Sequence, residues 1–122
     1  MTLRELYESI GGDYDQALRV LRVEKLVDKH IRKLTGNGVI TALLSAGETM
    51  DPTEMFERAH AAKGVCGNLG LPGLAAISTE LAEEYRPGTP RHLSDEEVRE
   101  RLARLAEVYR KTEEGIARYV DS

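Results

Sequence analysis

From Ser94 onward, Val98, Leu102, Leu105, Tyr109, Thr112, Ile116 and Tyr119 recur at alternating steps of four and three residues. No other pattern constrains the fold of this chain as strongly. The spacing lays an apolar stripe along one face of a long α-helix, and Ser94 with Glu97 offers a capping box at its start. A stripe of this kind has to be buried against other elements. Glu97–Arg101, Glu100–Arg104 and Glu107–Lys111 stand four apart in the order that favours ion pairing, so the opposite side is expected to be a solvated, charged face.

The rest of the chain also reads as helix. A short helix is expected over Leu3 to Ile10, stopped by Gly11-Gly12. Asp13 can cap a second near Tyr14 to Leu21. A third follows from Val23 to Leu34, with Leu26, Val27, Ile31 and Leu34 on its apolar side, and a fourth covers Val39 to Ala46 before Gly47. Asp51-Pro52-Thr53-Glu54 supplies an N-cap, a proline at the first helical position and an acid at the third, opening a helix that should run to Asn68 or Leu69. Leu71-Pro72 opens another, which carries Leu74, Ile77, Ser78, Leu81 and Tyr85. Arg86-Pro87-Gly88-Thr89-Pro90 is a loop. No run of alternating β-branched residues ends in a hairpin turn, and Asn37-Gly38 lacks flanking strands. Amphipathic helices joined by short loops, without strands or a repeat period, predict an all-α helical bundle forming a single domain over residues 1–122.

Composition narrows the function classes. At 41% hydrophobic and 31% charged residues, the chain is an ordinary globular one rather than a disordered one. Its apolar runs, such as Val39 to Ala46, are too short for a membrane span, and MTLRELYESI lacks the apolar core of a signal peptide. The net charge of −4, few aromatics and no tryptophan argue against nucleic-acid binding. Cys66 is the single cysteine, so no disulfide forms within the chain and a cytoplasmic location is expected; it reads as a small core residue. No Cys/His cluster has zinc-ligand spacing.

The chemistry concentrates in Phe56-Glu57-Arg58-Ala59-His60-Ala61-Ala62-Lys63-Gly64-Val65-Cys66-Gly67-Asn68-Leu69-Gly70. At about 100° per residue, Met55, Ala59, Ala62, Cys66 and Leu69 form one narrow core stripe. His60, Gly64 and Gly67 fall on the other side, with Lys63 and Phe56 on the flank. Each glycine inside a helix costs about 1 kcal/mol relative to alanine. Placed around His60, they leave a flat, open patch beside an exposed imidazole. A neutral imidazole is a nucleophile near pH 7. Lys63, one turn on, can set an ammonium beside a phosphoryl group on His60, and Gly64 gives a second protein room to bring up its own reactive group. Phe56 and Gly67 are candidate docking contacts, Phe56 equally a residue at the edge of the core. Nucleophile, cation and clearance suit transient phosphorylation.

This segment resembles the signature of histidine-containing phosphotransfer (HPt) domains. The resemblance rests on Ala59-His60-Ala61-Ala62-Lys63-Gly64, then Asn68-Leu69-Gly70, then Leu74 and Leu81. It departs from the family pattern at Ala62, where leucine is usual, and at Ala82, where glutamate commonly follows Leu81; Ser78, Thr79 or Glu83 could orient the imidazole instead. The resemblance implies an antiparallel four-helix bundle with short additional N-terminal helices. It also implies a histidine phosphorylated on Nε2, which relays the phosphoryl group to or from a receiver-domain aspartate and is served by a sensor histidine kinase. Mg²⁺ would belong to the receiver, and the chain itself would be a phosphocarrier with no cofactor, no resident metal and no enzymatic turnover.

Two other readings compete. Glu57-x-x-His60 matches one half of a di-iron carboxylate site, but neither His30 nor His92 has a glutamate three residues earlier, and both are read as surface residues. The alternative from a third class is a non-catalytic helical interaction module in which His60 is incidental.

Overall fold

The computed structural model describes all 122 residues, Met1 to Ser122. Seven helices and no strand follow one another: α1 (Leu3–Ser9), α2 (Tyr14–Leu21), α3 (Glu24–Lys33), α4 (Val39–Ala46), α5 (Pro52–Asn68), α6 (Pro72–Glu84) and α7 (Asp95–Asp121). None is long and apolar enough to cross a membrane.

The capping residues set these boundaries. Thr2 with Glu5 and Ser94 with Glu97 close reciprocal capping boxes at the starts of α1 and α7. Asp13 and Asp51 accept from the backbone N–H of Gln16 and Glu54 at 3.0 Å each, opening α2 and α5. At the end of α5, Gly70 adopts φ +66°; its N–H reaches the Gly67 carbonyl, and the Leu71 N–H reaches that of Cys66 at 2.9 Å. This is a Schellman stop, which needs a residue that tolerates positive φ. The Leu69-Gly70 pair is therefore a turn device that folds α6 back onto α5.

One cluster of 27 buried apolar residues takes members from every helix. The stripe of α7 is buried along its whole length, from Val98 to Tyr119. Helices α4, α5, α6 and α7 touch in a closed cycle, α4 to α5 to α6 to α7 and back to α4. Helices α1 and α3 lean on α7, and α2 leans on α5. The N-terminal segment is also bonded to the α5–α6 turn. The Tyr7 hydroxyl donates to the Leu69 carbonyl at 2.7 Å, and the Asp13 N–H donates to the Gly70 carbonyl at 2.7 Å.

Two expectations from the sequence need correction. Leu26 is 38% exposed, whereas Val27, Ile31 and Leu34 are fully buried. Helix α3 packs chiefly against α2 and α7, so its buried stripe is narrower than the apolar run suggests. None of the three expected i,i+4 pairs on α7 forms an ion pair. Arg101 instead reaches across to Glu80 of α6 at 3.2 Å, and Arg110 takes both Glu107 and Glu114. The planar guanidinium fork of Arg110 competes better for Glu107 than the point charge of Lys111.

Candidate functional site

Helix α5 presents its two sides very differently. Met55, Ala59, Ala62 and Cys66 are completely buried, as the wheel expects. Burial pushes the Cys66 thiol up to about 12, which leaves it an unreactive core group. His60 is exposed on the opposite side.

The imidazole has one organised neighbour. Phe56, one turn earlier, stacks its ring on that of His60 with centroids 5.6 Å apart and planes 21° from parallel. Phe56 is half-buried and packs against the core, so both readings of it from the sequence meet in one residue. The partly buried Phe56 ring lies against the exposed imidazole, and the His60 nitrogens are free of hydrogen bonds within the protein. Lys63 lies half-buried one turn on and forms no ion pair. A Cβ built on Gly64 or on Gly67 would meet nothing within 4 Å. Neither glycine is therefore there to let another helix approach; the space beside His60 is open. Gly67 is half-buried and lies lower on the same side.

The polar groups considered on α6 do not reach the ring. Thr79 donates its hydroxyl to the Ala75 carbonyl at 2.7 Å, Glu83 pairs with Arg86, and the Ser78 hydroxyl is buried without a partner. Ala82 is buried in the core. Nor does the Glu57-His60 pair find company, because no group of three His, Cys, Asp or Glu side chains is placed to hold a metal ion. His30 and His92 are exposed, as expected.

One charged residue escaped the sequence reading. Glu84, at the end of α6, is buried. Its carboxylate accepts from the N–H groups of His92 and Leu93 at 3.0 and 2.9 Å, and from Arg91 Nε at 2.8 Å. Burial alone pushes this carboxyl up, but the Leu93 and His92 N–H bonds and the Arg91 guanidinium outweigh it and hold the group below the usual carboxylate range. Glu84 thus pins the α6–α7 loop. Its partners lie seven to nine residues away across a loop, two of them backbone groups, which no helical spacing reveals.

The Hpt domain family model matches residues 22–108, well over half of the chain, and the match contains α5, α6 and the His60 region. The chain belongs to the Hpt domain family. No curated protein and no solved structure matches it. Hpt domains carry phosphoryl groups in two-component signalling and interact there with receiver domains and kinases. Within this Hpt domain, the exposed, ring-stacked histidine stands on the open side of the helix whose other side is sealed in the core.

Proposed function

We propose that this domain is a histidine phosphocarrier in which His60 is the phosphorylated residue. The observation that carries this reading is the pairing of an exposed His60 with an unobstructed Gly64 one turn on. Helices α4 to α7, which touch in a closed cycle, are the four-helix bundle of the domain, and α1 to α3 are its additional N-terminal helices.

In the forward step, the Nε2 lone pair of a neutral His60, with its proton on Nδ1, attacks the phosphorus of a receiver's aspartyl phosphate. A P–N bond forms, the P–O bond breaks, and the aspartate leaves as a carboxylate; the reverse step returns the group. The stacked Phe56 ring limits rotation of the imidazole, and the Lys63 ammonium offsets phosphoryl charge. Gly64 gives the partner clearance, and Mg²⁺ is supplied by the receiver. The domain is a carrier rather than an enzyme, and its partners are a receiver domain and a sensor histidine kinase. It needs no cofactor, nucleic acid or membrane, and the cytoplasm suits its single unreactive thiol.

The test is phosphorylation of wild type and His60→Gln by a phosphorylated receiver and by phosphoramidate. Wild type should gain an acid-labile, base-stable phosphoryl group, and His60→Gln should gain none while its melting temperature stays the same. A phosphorylated His60→Gln protein, or one melting several degrees lower, refutes the assignment. A helical interaction module, the competing reading, leaves both proteins unlabelled.

A further inference from the structure

Charge is distributed unevenly over the surface. Residues 19–33 hold six Lys or Arg against two acids, Glu24 and Asp28, in a chain whose net charge is −4. Asp28 is already engaged by Arg32 at 3.0 Å and by the Tyr119 hydroxyl. Lys25, Lys29 and Lys33, at four-residue steps along α3, are all exposed and have no ion-pair partner. On the rest of the molecule Arg58, Arg86, Arg91, Arg101 and Arg110 each hold a carboxylate, and the two other lysines, Lys63 and Lys111, stand singly rather than in a row. An unpaired cationic stripe on an acidic protein is left for something outside it.

Three apolar side chains at the α2–α3 elbow are also exposed: Val20 by 39%, Val23 by 50% and Leu26 by 38%. The elbow turns through Arg22 at φ 76°, a conformation in which any residue but glycine is strained. Near the elbow runs a groove of about 440 Å³, lined by Leu21, His30 and Lys33 on one wall and by Val65 and Asn68 of α5 on the other.

One residue of the groove, Asn68, shares a row of α5 with the histidine. His60, Gly64 and Asn68 are spaced by four and follow one ridge of α5, so Asn68 lies ~12 Å of helix rise beyond His60. Gly64 sits between them with nothing above its Cβ direction. A protein seated over His60 can therefore extend without obstruction along the glycine into the groove and onto α3.

We propose that the α2–α3 elbow, with its lysine stripe and the groove beside α5, is a second contact surface that selects receiver domains by an acidic patch next to their phosphorylated aspartate. This inference rests on the phosphocarrier reading of His60. Complementary charge at an interface chiefly raises the encounter rate and rejects partners of the wrong sign, and salt screens it. The stripe accordingly governs which receiver is engaged, and His60 governs the chemistry.

The experiment uses protein phosphorylated by phosphoramidate and the receiver domain to which the wild type transfers fastest. The triple variant Lys25→Glu, Lys29→Glu, Lys33→Glu should raise the KM for that receiver about tenfold while kcat changes less than twofold. The steep fall of wild-type kcat/KM between ~0.05 and ~0.5 M salt should flatten or reverse. Unchanged KM and salt dependence overturn the proposal while leaving the carrier reading standing. Failure of phosphoramidate to label wild type overturns both. Cosedimentation with vesicles of phosphatidylglycerol and phosphatidylcholine, lost in the variant while KM is unchanged, assigns the stripe to a membrane and also overturns the proposal. If the triple variant shows no cooperative melt, Lys29→Glu together with the wild-type salt dependence gives the same decision.

Discussion

Replacing Gly64 by alanine should make the protein more stable, by an amount the structure allows to be worked out. The residue is four positions before the end of α5, inside the helix, where glycine costs about 1 kcal/mol relative to alanine. Added stability requires that the new methyl meet no atom, and a Cβ at Gly64 has nothing within 4 Å. The gain should be about 0.5–1 kcal/mol, a rise of roughly 2–5 °C in Tm for a domain of this size. Gly115 in α7 is the internal control. It is buried, and a Cβ there would overlap the Ile10 Cγ2 methyl and approach Leu6 Cδ1 at 3.5 Å. Gly115→Ala should gain the same helix propensity yet lose about 1–3 kcal/mol to overpacking, and so melt lower. The bulkier Gly64→Gln should fold normally and still be labelled by phosphoramidate, while transfer from a receiver falls because the side chain occupies the space beside His60. Thermal melts and the two transfer assays check all three proteins. A Gly64→Ala protein that melts below wild type would refute the reasoning, since it would place another element against that face.

Lys63→Ala should slow phosphoryl transfer about ten- to a hundredfold without abolishing it, because a charge-assisted hydrogen bond is worth about 1.5–3 kcal/mol and forms no covalent bond to phosphorus; rapid-quench kinetics decide. Glu84→Gln should cost about 1–3 kcal/mol by urea titration near pH 7. Because the Glu84 pKa is lowered in the folded state, its contribution is present above the usual carboxylate value of 4.5 and disappears as the pH falls below that, through the native pKa. The gap between wild type and Glu84→Gln should therefore close in acid; a gap that stays constant down to pH ~2 would exclude the linkage. Tyr7→Phe leaves the buried Leu69 carbonyl without its partner and should cost about 1 kcal/mol or somewhat more by the same titration.

Much of this molecule was legible in its sequence because local rules act within one helix. Caps at Asp13, Asp51 and Ser94 and glycines beyond the helix ends fix boundaries through bonds spanning three or four residues. The exposure of His60 followed from its angular distance to Met55, Ala59, Ala62 and Cys66, which a wheel computes. Leu26 was misplaced because a wheel shows how wide an apolar run is, not how much of it a neighbour covers. The ion pairs of α7 failed for a related reason: Glu80 lies on another helix, and i,i+4 counting does not include it. Glu84 was invisible because its partners lie across a loop and two of them are backbone N–H groups, and the groove between α3 and α5 because it exists only once both helices are packed in the fold.

The bonds from Tyr7 and Asp13 to the end of α5 have a consequence for grafting. The stretch shared with the family begins at residue 22, so both donors lie outside it. A chimera that transplanted residues 22–108 into another scaffold would bring the histidine and its glycine but strand the carbonyls of Leu69 and Gly70. It would also uncover the wall of the core built by Leu3, Leu6 and Tyr7. The foot of the histidine's helix is held by a part of the chain that the family signature does not include.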